Sequence, residues 1–388
     1  MLNVNAFELK VADLDISKLV ISLTIYENLQ GQIEGSLVVK DNINFYDTFI
    51  AHFQPAVEIT FSYLGASCSN AFPANGITNM EITKFGKTYI IHFISSTSVN
   101  MEMESLNLVY SGPSHTILKA MWYETQGNHL PLRIDKKSIT KGRYIVPSVK
   151  AGVAIGNVLN TAYDDEQSAF CLYQRLWDDG AARLSSFSFM DKNYFMENQQ
   201  IGTAVHQSRF VIKNILAGKV GEKDSLANLN EVGTSSNFTL EEFQKDFYQK
   251  LAAGFWGSKI SHIHLDETTK EELTPAEATS SLSLTRFKLS NKLYDDSTQS
   301  IFSTIQDPAA IAAFNAKRRI LHGQYLKVNN MVPVPGLGVG FCVEVYQGGS
   351  NVSESRQDNN YIVSNINHKF TLADGDFMYS QDLGLIRE

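Results

Sequence analysis

Hydrophobic and polar positions alternate with period two through much of the first hundred residues. The alternation is clearest where Val57, Ile59, Phe61 and Tyr63 interleave with Glu58, Thr60 and Ser62. Such alternation gives a strand one buried and one wetter face. The pattern predicts strands over 19–26, 36–40, 57–63, 89–95 and 102–110, in an antiparallel barrel or sandwich. Glu27-Asn28-Leu29-Gln30-Gly31 supplies turn chemistry and Glu34-Gly35 restarts the extended run, so the first two strands read as a hairpin.

The period changes after Ser111-Gly112-Pro113. Proline is favoured at the first helical position, and Ile117, Leu118, Met121 and Trp122 then recur at helical spacing. A second helix is predicted over 151–163, where Ile155, Val158, Leu159 and Ala162 form one stripe ahead of Asp164-Asp165-Glu166. Residues 185–190 and 206–217 read as extended, and the polar, Gly-rich 218–236 reads as a mobile loop. Thr239-Leu240-Glu241-Glu242 has capping-box spacing, and Leu240, Phe243, Phe247 and Leu251 predict a helix ending at Gly254. Asp307-Pro308 predicts another helix, running to Arg319, with its cations at the end that the macrodipole favours. Strands then follow at 324–328, 339–346, 361–370 and 377–385, separated by Val332-Pro333-Val334-Pro335-Gly336 and the polar loop 348–360. A β-rich beginning, a mixed middle and a β-rich end result, with no sequence repeat between the two ends.

Composition narrows this picture. The chain has 388 residues, 43% hydrophobic and 19% charged, enough for about two to four domains. No stretch approaches the roughly 18 apolar residues that span a bilayer, and the start MLNVNAFELK lacks the basic head and apolar region of a leader, so synthesis in the cytosol is expected. Cys68, Cys171 and Cys342 stand far apart, without the spacing of a disulfide framework or zinc site, and read as small buried hydrophobes. A net charge of −8, with one short basic run at Lys317-Arg318-Arg319, argues against tight duplex nucleic acid binding and favours protein partners.

Candidate chemistry is sparse. His262, His264 and Asp266 would share one face of a strand as a divalent-metal set, although such a trio also arises by chance on a polar face. Asp164-Asp165-Glu166, Asp178-Asp179 and Asp295-Asp296 offer paired carboxylates, but a glycosidase needs two of them about 5–10 Å apart across a cleft, and acids at element ends are usually solvated caps. Cys171 has no local signature that would pair it with His129 or His206 as a nucleophile. Trp122, Trp177 and Trp256 are candidates for sugar stacking or for core. Gly336-Leu337-Gly338-Val339-Gly340 precedes a strand, the wrong context for a dinucleotide loop. No catalytic residue, cofactor or resident metal is assigned, and an enzyme is not expected.

With catalysis weak, the order of elements carries the argument. Leu23-Thr24, Leu29, Gly31, Glu34-Gly35, Leu37 and Asp41 resemble the first barrel strands and turn of the central baseplate hub proteins of contractile-tailed phages. Further echoes are Ser114-His115-Thr116-Ile117, Ser261-His262 with Leu265-Asp266, and residues 362–370. The resemblance covers most of the chain in the family's order, with long unmatched stretches between.

It implies an α+β, mainly β protein: two antiparallel tube-like β-barrel domains with α/β insertions, assembling as a ring. The implied map is a first barrel at 1–110, an α/β peripheral domain at 111–205, a second barrel from 206–219 and 320–388, and a mixed insertion at 220–319. The implied role is a homotrimeric hub that adapts a sixfold tail tube above to a threefold spike below. Other baseplate proteins surround it, and DNA or a tape-measure protein passes through its channel without specific binding; the net charge of −8 adds the expectation that acidic side chains line that channel. The location would be the virion tail, and any lysozyme or needle a separate polypeptide. Strands carrying Leu23, Ile25, Leu37, Val39, Val343, Val345, Val363 and Ile366 are expected to form the ring contacts. Two alternatives stay open: a tail-tip or tube-initiator hub of a non-contractile phage or secretion spike, and a carbohydrate-active β-protein.

Overall fold

The computed structural model describes 2–4, 6–48, 55–84, 86–178, 180–192, 308–347, 360–373 and 375–387, and between 195 and 300 the backbone of eight strands with the side chain of Ile212. The chain is mainly β with a few helices. Sixteen of the described strands join in one continuous sheet. Among the described residues no helix is long and apolar enough to cross a membrane.

The amino-terminal part of this sheet follows the alternation of the sequence. Val20–Asn28 pairs with Glu34–Asp41, which pairs with Gly86–Ile94, then Ala66–Thr83, Ala56–Tyr63 and Ala6–Val11, all antiparallel. Leu23, Ile25, Leu37, Val39, Val57, Ile59, Phe61, Ile91 and Phe93 form its core. Gly35 lies in this sheet because a Cβ there would come within 2.3 Å of the Phe93 ring and 2.5 Å of the Thr24 carbonyl.

The sheet continues through two long carboxy-terminal strands, Asn360–Ala373 and Asp376–Arg387, which form one antiparallel hairpin. One end of this hairpin belongs to the first core, where Phe370, Phe377 and Tyr379 pack. Its other end belongs to a second core with Ile362, Val363, Ile366, Leu383, Leu385 and Ile386, under the strands Gln324–Met331 and Cys342–Gln347. At the first core the two margins of the sheet meet through side chains: Leu2–Asn3 pairs with Asp376–Arg387, and Phe7 on the opposite margin stacks on Phe377 at 3.9 Å. A β-bulge between Val363 and Asn365 lies within the second-core end of the hairpin, and the changeover between cores falls between Ile366 and Phe370. There Gly384 admits the Asn365 side chain, whose amide nitrogen would lie 2.3 Å from a Cβ.

A third core holds the α/β middle. Helices Ser114–Gln126 and Ala151–Thr161 bury Ile117, Leu118, Met121, Trp122, Ile155 and Val158 against the small sheet of Leu132–Ile134, Phe170–Gln174 and Ala182–Ser186. The strand Phe170–Gln174 serves several layers: Phe170 packs in the third core, Cys171 and Tyr173 in the second, and the following Leu176 in the first.

Several local expectations are corrected. Residues 102–110 do not form a strand: Ser96–Met103 is a helix whose N-cap Ser95 accepts from the Ser98 N–H, and two short strands, Ser105–Leu106 and Val109–Pro113, follow. Pro113 is the extended N-cap of the next helix, not its first residue. The extended run at 185–190 stops at Ser186, and Phe187–Lys192 is helical. The start of the helix predicted from the capping box is instead the strand Thr239–Gln244, paired with Gln324–Met331, because long-range pairing outweighs local propensity, and the rest of that prediction, 245–254, lies outside the described residues. Glu231–Ser236, within the predicted loop, is a strand parallel to Ala204–Asn214. The helix Pro308–His322 is present, and its proposed cap Asp307 lies outside the described residues.

Candidate functional site

Two cores meet at one buried carboxylate, which bonds Leu176 of the first and Val339 of the second. Glu27 follows Leu23 and Ile25 on the inward face of Val20–Asn28 and is 0% exposed. Its Oε1 accepts the Leu176 N–H at 2.7 Å, and its Oε2 accepts the Val339 N–H at 3.2 Å. The Nε2 of His368, also 0% exposed, lies 3.0 Å from Oε1. A carboxylate only accepts, so Nε2 carries the hydrogen. His368 Nδ1 then accepts from the Tyr379 hydroxyl at 2.7 Å, and that hydroxyl accepts from Gln381 Nε2 at 3.0 Å. Burial holds the Tyr379 phenol well above its usual range, in keeping with its role as a donor. Gln381 completes the network by accepting the Val334 N–H at 3.0 Å.

The glycine run set aside as a failed dinucleotide loop finds its purpose beside this network. Arg175 donates to the Val339 carbonyl at 2.8 Å and lies 4.0 Å from the Phe341 ring centroid. A Cβ on Gly338 would meet Arg175 Cδ at 2.6 Å. One on Gly340, whose φ is +79°, would meet the Tyr173 hydroxyl at 2.6 Å. These glycines let the 334–341 loop close over Tyr173 and Arg175.

The residues weighed for chemistry are committed elsewhere or lie outside the described residues. Asp178 pairs with Arg183 at 2.5 Å, and Arg183 also reaches Asp135 at 3.1 Å. Asp164 accepts from the Glu166 and Ser168 N–H groups and the Ser186 hydroxyl, while Asp165 pairs with Lys136 at 2.8 Å. Burial pushes the Cys171 thiol up to about 12, far from a thiolate at neutral pH. Trp122 is buried and donates to the Leu130 carbonyl; Trp177 packs on Phe61 at 5.2 Å. His262 and His264 lie on the strand Ser258–His264, and Asp266, Asp179, Asp295, Asp296 and Trp256 lie outside the described residues. Among the described residues no group of three metal-ligating side chains converges.

Leu23, Ile25, Leu37, Val39, Val343, Val345, Val363 and Ile366 are all buried in the chain's own cores. The outward positions between them form registered rows instead. Thr371, Ser22, Val38, Ile90 and Thr78 lie side by side across five strands, and Lys369, Thr24, Ser36, His92 and Gly76 form the next row.

Sequence reading missed Glu27 and His368. The signal was the alternation itself, which puts Glu27 in phase with Leu23, Ile25 and Leu29, and His368 in phase with Ile366 and Phe370.

No protein-family model matches the sequence, and no curated protein matches it. Solved structures match along almost its whole length. A 43 kDa tail protein of prophage MuSo2 from Shewanella oneidensis superposes with a TM-score of 0.56 at 9% identity, over 98% of each chain. A tail protein from Neisseria meningitidis MC58 gives 0.55 at 10% identity, over 99% of this chain and 96% of that one. An Escherichia coli component of the type VI secretion system, structurally similar to the T4 bacteriophage tail proteins gp27 and gp5, gives 0.52 at 9% identity, over 98% of this chain and 77% of that one. At such identities the likeness is one of fold: the chain is folded as phage tail proteins are.

Proposed function

We propose that this chain is a non-enzymatic structural hub of a phage tail baseplate. It works as a homotrimeric ring that adapts a sixfold tail tube above to a threefold spike below, in contact with other baseplate proteins and located in the virion tail. The observation that carries the reading is the fold likeness to two tail proteins over at least 96% of both chains. A second support is the commitment of Asp164, Asp178 and Cys171 to internal contacts, which favours scaffolding over catalysis.

Under this reading 1–110 forms one tube-like barrel, and 206–219 with 320–388 the other. Residues 111–205 and 220–319 are the peripheral insertions. The expected ring strands make their contacts through outward rows such as Ser22, Val38 and Ile90, because their inward side chains hold the monomer together. DNA or a tape-measure protein then passes through the ring unbound, helped by a net charge of −8.

Native mass spectrometry of the purified chain, paired with electron-microscope class averages, tests the reading. A trimeric ring with a central hole and a near-sixfold inner wall is the expected result. A species that stays monomeric at micromolar concentration, alone and with a trimeric spike and a tail tube protein, would overturn it.

A further inference from the structure

Glu27 is unusual in what it joins. Its two oxygens take backbone N–H groups from Leu176, 149 residues away, and Val339, 312 residues away. Neither donor lies on the strand that carries Glu27. Leu176 belongs to the turn after Phe170–Gln174, and its carbonyl is held by Asn70 at 2.9 Å, so both of its peptide groups are fixed by side chains of the amino-terminal strands. Val339 belongs to the 334–341 loop, whose other end is held where Gln381 accepts the Val334 N–H. The two segments also bind each other, through Arg175 to the Val339 carbonyl and through Gly338 and Gly340 packed on Arg175 and Tyr173.

We propose that Glu27 is a charged interlock: one buried carboxylate that holds the 174–177 turn and the 334–341 loop in place together, so that the two release as a unit. The reason is stoichiometric. Three donors converge on two oxygens: the Leu176 N–H, the Val339 N–H and His368 Nε2–H. Only an ionised carboxylate presents acceptors on both oxygens and no donor of its own. An amide of the same shape leaves one oxygen for three donors and turns an NH2 group against a buried N–H. Among the described side chains of this network none offers a replacement acceptor. His368 donates to Glu27, Tyr379 and Gln381 are spent on His368 and the Val334 N–H, and Arg175 is a cation already bound to the Val339 carbonyl. Losing either bond therefore loosens a surface on which the other segment packs.

Hydrogen–deuterium exchange of the full chain reads this directly. In Glu27→Gln, peptides covering 174–177 and 334–341 are expected to exchange faster together, each by about tenfold or more, while the helix Ser114–Gln126 keeps its wild-type rate. Wild-type rates in both segments, or acceleration of only one, would overturn the interlock. Should Glu27→Gln not fold, Gln381→Ala gives an independent reading, since it frees the Val334 end of the loop and removes a donor to the Tyr379 hydroxyl while leaving all three donors on Glu27 in place. The interlock requires the loosening to reach 174–177, and a 174–177 segment as protected as in the wild type would sink it.

Discussion

Gly340 carries two constraints at once: a φ of +79°, and a Tyr173 hydroxyl 2.6 Å from where a Cβ would stand. Either is costly for an L residue, and the loop cannot yield without disturbing Arg175 and the Glu27 network. Gly340→Ala is expected to destabilise the chain by about 1–3 kcal/mol, seen as a lower midpoint in chemical denaturation. An unchanged midpoint would mean that the loop relaxes freely. A glycine run is visible in any sequence, but its purpose is not. The motif GLGVG was legible as backbone freedom, and only the approach of Tyr173 and Arg175 says what that freedom is for.

Among the elements, the small sheet of the third core shows how a carboxylate pair that looks catalytic becomes structural. Arg183 on Ala182–Ser186 reaches Asp178 in the neighbouring turn and Asp135 just beyond Leu132–Ile134, with all three side chains largely buried. Removing one partner leaves the guanidinium short of an acceptor. Asp178→Asn should cost about 2–4 kcal/mol of stability, measured by thermal or urea unfolding. A carbohydrate-active reading of this acid demands the opposite pattern, intact stability with lost glycan hydrolysis. The same scale explains the misread elements. Thr239–Gln244 has a helical capping signal yet lies as a strand, because its partner Gln324–Met331 is far away in sequence and invisible to a local window.

For the whole molecule, the carboxy-terminal hairpin is the decisive feature, since its two strands furnish Phe370, Phe377 and Tyr379 to the first core and Val363, Ile366, Leu383 and Leu385 to the second. The amino-terminal strands therefore lack part of their core without it. A fragment of residues 2–113 is expected to stay unfolded, with poorly dispersed amide NMR signals. The same fragment joined by a flexible linker to residues 360–387 should gain dispersed strand signals. Independent folding of 2–113 would show that the shared hairpin is dispensable to the first core.

The sequence by itself determined the inward and outward faces of the amino-terminal strands, the helices around Trp122, Val158 and Ala313, and the mainly β character of both ends. These depend on periodicity, caps and turns, which act over a few residues. Tertiary structure alone decided that one hairpin serves two cores, that Glu27 in a hydrophobic register is satisfied and not misplaced, and that the acids at 164 and 178 are tied up inside the fold. Each of those outcomes rests on partners more than a strand away along the chain. Their pairing is fixed only when long-range register brings donor to acceptor, and no local pattern of residues encodes that register.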